Sequence, residues 1–229
     1  ALETNPSEIL RANMRDISAA KAKKIPAGLI DRLLLNENRL KNIIAEIRNV
    51  ESLKDPVGEI IESRELENGL FLKRVRVPLG VVGMIYEARP NVTVDSIVLC
   101  LKSGNAVVLK GGSDAINTNR ALVKLIRTVL EELKDAVQFI DSNDRKIVEE
   151  FLKLNGLIDV IIPRGGKNLI KFVRENATVP VIETGASVVH TYVHEDVDIK
   201  KGVKIIMNAK LRRVGMCNAL DVLLLHKNI

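Results

Sequence analysis

From Pro78 onward the sequence alternates short runs of apolar, often β-branched residues with longer helical patterns, and few architectures accept that rhythm. The apolar runs are Gly80–Tyr86, Ala106–Lys110, Ala136–Asp141, Ile158–Pro163 and Val179–Glu183. Helical patterns fall between them, near Thr93–Lys102, Ile116–Leu133, Asp144–Leu154 and Asn168–Asn176. A strand followed by a helix and another strand returns in the same direction, so five parallel strands are expected. Their Val and Ile runs carry little polar alternation, which requires cover on both faces. The expected fold is therefore α/β, a doubly wound parallel sheet of Rossmann-like form.

The flanking sequence reads differently. Two amphipathic helices are expected at the start, Ser7–Lys23 and Ala27–Asn49, the second with Leu33, Leu34, Leu40 and Ile44 as its apolar positions. A hairpin follows over about residues 58–77, turning at Glu67-Asn68-Gly69. A projecting hairpin at this point is expected to join subunits into a homo-oligomer. After Gly185 a new unit is expected, with a strand to Val193, a helix over Asp198–Ala209, a loop holding Cys217 and a strand over Asp221–Leu225.

Composition removes several classes of function. Apolar residues make up 46% of the 229, enough for a buried core. The 35 Lys and Arg exceed the 29 Asp and Glu, but the charges are mixed along the chain with no long basic run. Aromatics are 3% and Trp is absent, so stacking platforms for single strands are missing and nucleic acid is not an expected partner. Without an 18-residue apolar stretch or a secretory leader at Ala1–Asn5, the expectation is a cytoplasmic protein without membrane contact. Cys100 and Cys217 have no zinc-type spacing, and His190, His194 and His226 are scattered, so no metal is expected. Cys100 lies in the apolar stretch Ile97–Leu101 and reads as a core residue, whereas Cys217 lies in a polar loop.

Ligands of an open parallel sheet bind beyond the carboxyl ends of its strands. Two glycine-pair loops stand there, Lys110-Gly111-Gly112-Ser113 and Arg164-Gly165-Gly166-Lys167. Glycine lets a backbone approach a phosphate, and the following helix N-terminus supplies N–H donors. Neither loop is a full G-x-G-x-x-G, and ordinary strand-to-helix turns remain the alternative. The first loop has a hydroxyl at Ser113 and no carboxylate before Asp114, which favours NADPH over NADH.

Longer blocks carry a resemblance. Pro78–Asp95, containing Tyr86-Glu87-Ala88-Arg89-Pro90-Asn91, and Leu99–Ala106 closely resemble the gamma-glutamyl phosphate reductases, the glutamate-5-semialdehyde dehydrogenases of the aldehyde dehydrogenase superfamily. So do Ile162–Lys167, Val181–Gly185 and Cys217–Leu220. The resemblance runs from about Asp55 to His226. It implies NADP-dependent reduction of L-glutamyl 5-phosphate to glutamate 5-semialdehyde in proline biosynthesis, with a glutamate 5-kinase as a partner. Family members are about twice as long, which implies a nucleotide-binding domain at 1–185 and only the N-terminal part of a catalytic domain at 186–229. Two stretches depart from the family pattern, Leu211–Val214 and Ala186–Val189.

Roles follow from that resemblance. Reducing an acyl phosphate needs a nucleophile that displaces phosphate and later leaves, as a thiolate does, and Cys217 is the candidate. The amide of Asn91 is the implied donor to the developing oxyanion, with a helix N-cap as its plainer alternative. Glu183 stands 34 residues before Cys217, the spacing of the superfamily's general base, although a reductase reduces its thioester rather than hydrolysing it and needs no deacylating base. Lys110, Gly111, Gly112, Ser113, Arg164, Gly165, Gly166, Thr184 and Gly185 are the implied cofactor contacts. Arg89, Lys210 and Arg213 are candidate binders of the substrate's phosphate or carboxylate. Two other functions stay open: a relative that oxidises an aldehyde to an acid, and a non-catalytic nucleotide-binding module.

Overall fold

The computed structural model describes residues 1–229 except Thr184, Ala186, Arg213 and Gly215, and only the backbone of Arg145. The chain divides into two compact units, Ala1–Glu183 and Thr184–Ile229.

The first unit is built on four parallel strands: β3 (Val81–Tyr86), β4 (Ala106–Gly111), β5 (Val137–Phe139) and β6 (Val160–Arg164), in the order β5-β4-β3-β6. Central β3 pairs with β4 from Val81↔Ala106 to Tyr86↔Gly111 and with β6 from Val82↔Val160 to Tyr86↔Arg164. Both faces of the sheet are covered, as the apolar runs require. Val82, Met84 and Tyr86 pack with Ile97, Cys100 and Val123 on one face. Ile85 packs with Phe151, Ile161 and Val173 on the other. Burial raises the Cys100 thiol to about 11, keeping it neutral, in keeping with a core cysteine.

The expected fifth strand is reduced to one bridge, Ile161↔Val181. Ile161 N–H donates to Pro180 C=O at 2.8 Å and Ile182 N–H to Ile161 C=O at 2.9 Å. Along a strand every second residue turns its N–H and C=O to the same side, so Pro163 faces this edge as Ile161 does. Proline has no N–H to donate, and the ladder stops there.

Helices α4 (Pro90–Lys102), α5 (Ile116–Leu130), α6 (Arg145–Phe151) and α7 (Lys167–Asn176) make the crossovers. Three N-terminal helices precede the sheet: α1 (Pro6–Ala22), α2 (Ala27–Leu33) and α3 (Glu37–Ser52). The single helix expected over Ala27–Asn49 is thus broken at Leu34–Asn36. Two asparagines explain the break. Asn36 caps α3 by accepting from Arg39 N–H at 2.8 Å. Buried Asn13 donates to Leu33 C=O and accepts from Leu35 N–H, each at 2.8 Å, satisfying the groups that a continuous helix would have paired internally.

Asp16, 3% exposed, fixes α1 to the start of α5. Its carboxylate accepts from Thr118 N–H at 2.8 Å, Thr118 Oγ1 at 2.6 Å, Asn117 N–H at 3.2 Å and Asn117 Nδ2 at 2.7 Å. The hairpin β1 (Ile60–Glu65) and β2 (Phe71–Val75) is antiparallel, and each of its strand residues is exposed. Phe71 is 73% exposed, far more than an aromatic side chain in a core.

The second unit is one βαβ crossover: β7 (His190–Val193), α8 (Ile199–Leu211) and β8 (Val222–Leu225), with β7 and β8 parallel. Asp198 caps α8 by accepting from Lys201 N–H at 3.1 Å.

Removing the Asp16 carboxylate leaves buried donors at the α5 N-terminus without an acceptor. Asp16→Ala is therefore expected to lower stability by about 3 kcal/mol in urea unfolding, and Asp16→Asn, which keeps one acceptor oxygen, by less.

Candidate functional site

In the order β5-β4-β3-β6, the chain moves outward from β3 to β4 and β5 and then returns to the other flank of β3 as β6. A crevice at such a switch point lies beyond the carboxyl ends of the strands. Three segments meet that edge: Glu87–Asn91 after β3, Gly111–Ser113 after β4 and Arg164–Lys167 after β6.

The two glycines of the first loop serve different needs. A Cβ on Gly111 would lie 2.3 Å from Asn119 Nδ2 and 3.1 Å from the Tyr86 ring, so a side chain is excluded by packing. A Cβ on Gly112 would meet nothing nearer than the Glu87 backbone at 3.5 Å, which leaves this position open to a ligand. Ser113 is exposed and starts a short 3-10 turn, Ser113–Ala115, that runs into α5. Beside them Lys110 is 7% exposed, and its Nζ donates to Gly111 C=O at 2.9 Å. Desolvation pulls the ammonium below its ordinary value of 10.5. Under this loop Thr93 Oγ1 donates to Asn119 Oδ1 at 2.9 Å and meets Tyr86 Oη at 2.7 Å. The Nδ2 of Asn119, a fully buried residue, has no hydrogen-bond partner among the described residues.

The second loop already holds an anion of the protein's own. Gly166, the N-cap of α7, donates its N–H to Glu87 Oε2 at 2.9 Å. A Cβ on Gly165 would lie 2.7 Å from Glu87 Cδ, so this glycine makes room for the carboxylate. A helix N-terminus attracts negative charge, and Glu87 supplies it here. Arg164 and Lys167 remain exposed on the rim.

After β3, Arg89 is the N-cap of α4 and makes no side-chain cap, and Pro90 takes the first turn. Asn91 therefore does not cap the helix. Its Nδ2 donates to Asp95 Oδ2, one turn along, at 3.2 Å. Burial raises the Asp95 carboxyl above its ordinary value, as does Glu46, while the Asn91 amide and Arg164 oppose the rise. At the same edge Glu183 Oε1 lies 3.6 Å from Arg174 Nη1.

Lys110–Ser113, Arg164–Gly166, Arg89, Asn91 and Glu183 all belong to the first unit. In the second unit Cys217 is an exposed free thiol following α8. Lys210 donates from Nζ to Leu220 C=O at 2.7 Å, and Gly185 is exposed. Thr184 and Arg213 lie outside the described residues, as does Ala186. Glu87 and Asp95 were missed as site residues from the sequence. Asp95 carried a signal, an acceptor four residues after an amide on one helix face, whereas the Glu87 contact spans 79 positions and left none.

Residues 35–229 match the family model described as the aldehyde dehydrogenase family. The chain is 48% identical over 231 aligned residues to gamma-glutamyl phosphate reductase of Thermotoga maritima, covering 100% of this chain and 56% of that protein. A crystal structure of gamma-glutamyl phosphate reductase from T. maritima superposes with a TM-score of 0.91 at 48% identity, over 100% of this chain and 56% of that one. The Saccharomyces cerevisiae gamma-glutamyl phosphate reductase superposes with a TM-score of 0.73 at 31% identity, over 99% of this chain and 57% of that one. The chain thus spans just over half the length of the relatives it matches. Among the described residues no helix is long and apolar enough to cross a membrane.

The buried charge of Lys110 gives a pH signature. Its folded-state value lies below the unfolded 10.5, so the charge costs stability at neutral pH. That cost fades as pH rises through the folded value and is gone above the unfolded one. Urea midpoints of Lys110→Met and the parent, compared at neutral pH and above pH 10.5, are expected to move in the parent's favour at the higher pH.

Proposed function

The chain belongs to the aldehyde dehydrogenase family, and we propose that the full-length protein reduces L-glutamyl 5-phosphate to L-glutamate 5-semialdehyde with NADPH, releasing phosphate. The observation that carries this reading is the 48% identity along the whole chain to a gamma-glutamyl phosphate reductase. In this reading residues 1–185 form the nucleotide-binding domain, the exposed hairpin joins subunits of a homo-oligomer, and 186–229 begin the catalytic domain. A glutamate 5-kinase would supply the labile acyl phosphate.

The family uses a nicotinamide cofactor, and the first glycine loop fits one. Gly112 leaves backbone open, and Lys110 offers an ammonium that donates to a carbonyl and has no paired carboxylate among the described residues. Lys110 and Ser113 would hold the ribose of the adenine end and any phosphate on it. Absence of a carboxylate at Ser113 favours NADPH. Arg164, Gly165 and Gly166 would border the phosphates, sharing the α7 N-terminus with Glu87. Thr184 and Gly185 would complete the cofactor contacts.

The chemistry follows from the side chains. The thiolate of Cys217 attacks the acyl carbon, and the carbonyl oxygen takes up negative charge. Asn91 donates an amide N–H to that oxygen. Phosphate leaves with the electron pair of the broken C–O bond, and a thioester remains on Cys217. The cofactor, when bound, supplies the hydride that reduces this thioester. Collapse of the resulting adduct breaks the C–S bond, frees the aldehyde and restores the thiolate. Arg89, Lys210 and Arg213 would bind the substrate's anionic groups. No water needs activating in this sequence, and the proximity of Glu183 to Arg174 suits a carboxylate that is not working as a base.

Run in reverse, the full-length protein is expected to reduce NADP with glutamate semialdehyde only when inorganic phosphate is present. Cys217→Ser is expected to lose roughly 10³-fold or more of kcat. Equal rates without phosphate would identify an acid-forming dehydrogenase instead.

A further inference from the structure

We infer that Asp95 is a positioning residue for the Asn91 amide, holding its nitrogen in place so that one N–H is left for the reacting carbonyl oxygen. The inference rests on the role given to Asn91 above and adds a residue to it.

A primary amide can present either end. With nitrogen outward it stabilises an oxyanion, and with oxygen outward it repels one. The backbone cannot make that choice. Pro90 fixes the first turn of α4 and brings no donor, and Arg89 makes no side-chain cap, so the backbone leaves the amide's rotation about its side-chain bonds undecided. The carboxylate one turn along decides it. Asn91 Nδ2 donates to Asp95 Oδ2 at 3.2 Å, so the acceptor oxygen of the carboxyl group turns the amide nitrogen toward it. A primary amide nitrogen carries two N–H bonds diverging in one plane. One is spent on Asp95, and the other has no acceptor among the described residues.

Asp95 is itself half-buried, and charges on two further elements act on it. Glu46 of α3 disfavours its charge, and Arg164 at the end of β6 favours it. All four groups belong to the first unit.

A double-mutant cycle in the full-length protein tests the inference, with phosphate-dependent NADP reduction by glutamate semialdehyde as the readout. Asn91→Ala is expected to lower kcat by about 10²-fold to 10³-fold, the loss found for one oxyanion donor. Asp95→Ala is expected to lower kcat by about 10-fold to 100-fold with KM changed less than about twofold, as misplacement of a reacting contact does. In the Asn91→Ala background the same substitution is expected to have no further effect. Asp95→Asn, which keeps an acceptor oxygen in place, is expected to retain most of kcat. If Asp95→Ala does not fold, Asp95→Leu takes its place in the cycle. Losses of equal size in both backgrounds, or an unchanged kcat in Asp95→Ala, overturn the inference while the role of Asn91 stands. An unchanged kcat in Asn91→Ala overturns that role, and the inference with it.

Discussion

The Asp16 carboxylate is the fixed point of the first unit. The opening N–H groups of a helix have no partners within it, and those of α5 start directly after the loop that carries Gly111, Gly112 and Ser113. Asp16 takes two of these N–H groups from outside, together with two side-chain donors, and adds a negative charge at the positive end of the helix. Thr118 gives its hydroxyl hydrogen to Asp16 and receives a bond from Asn13 Nδ2 at 3.2 Å. Asn13 in turn holds the break between α2 and α3. The N-terminal helices are therefore a brace, and the direction in which the first glycine loop leaves the sheet depends on them.

The two glycine loops meet opposite electrostatic conditions. The loop after β4 has a desolvated ammonium beside it, with no ion-pair partner among the described residues. The loop after β6 has an internal carboxylate seated on its helix N-terminus. An anionic ligand lying across both would be drawn to Lys110 and would share the second loop with Glu87. Sequence motif alone treats the loops as equivalent, since each is a glycine pair next to cations. The difference comes from β3, which delivers Glu87 between them.

What could be read in the sequence was what local physics decides. The strand rhythm placed β3, β4, β5 and β6 to within a few residues, because continuous Val and Ile runs leave no exposed face. The capping of α3 by Asn36 is also local, yet the break before it was missed because its other half is Asn13, on a different helix. Pro163 was visible, and its missing N–H explains why the fifth run stops at a bridge. At the site, the loops and the thiol stood out by residue type. Glu87 did not, because a carboxylate after a strand acquires meaning only when Gly166 is folded against it. Asn91 had been open to reading as a cap, and the structure gives that position to Arg89.

The place of β3 at the centre of the sheet has a consequence for how the protein is made. Val81 is hydrogen-bonded at 2.7 Å to Asp159, 78 residues further along, and β6 begins just after that residue. At ribosomal rates of about 5–20 residues per second, those residues take roughly 4–16 s to appear. Throughout that interval β3 can pair with β4 on one side only. Its other edge presents unpaired N–H and C=O groups along an apolar strand, a surface that templates association with other chains. The central strand of the finished sheet is thus, for those seconds, an open edge.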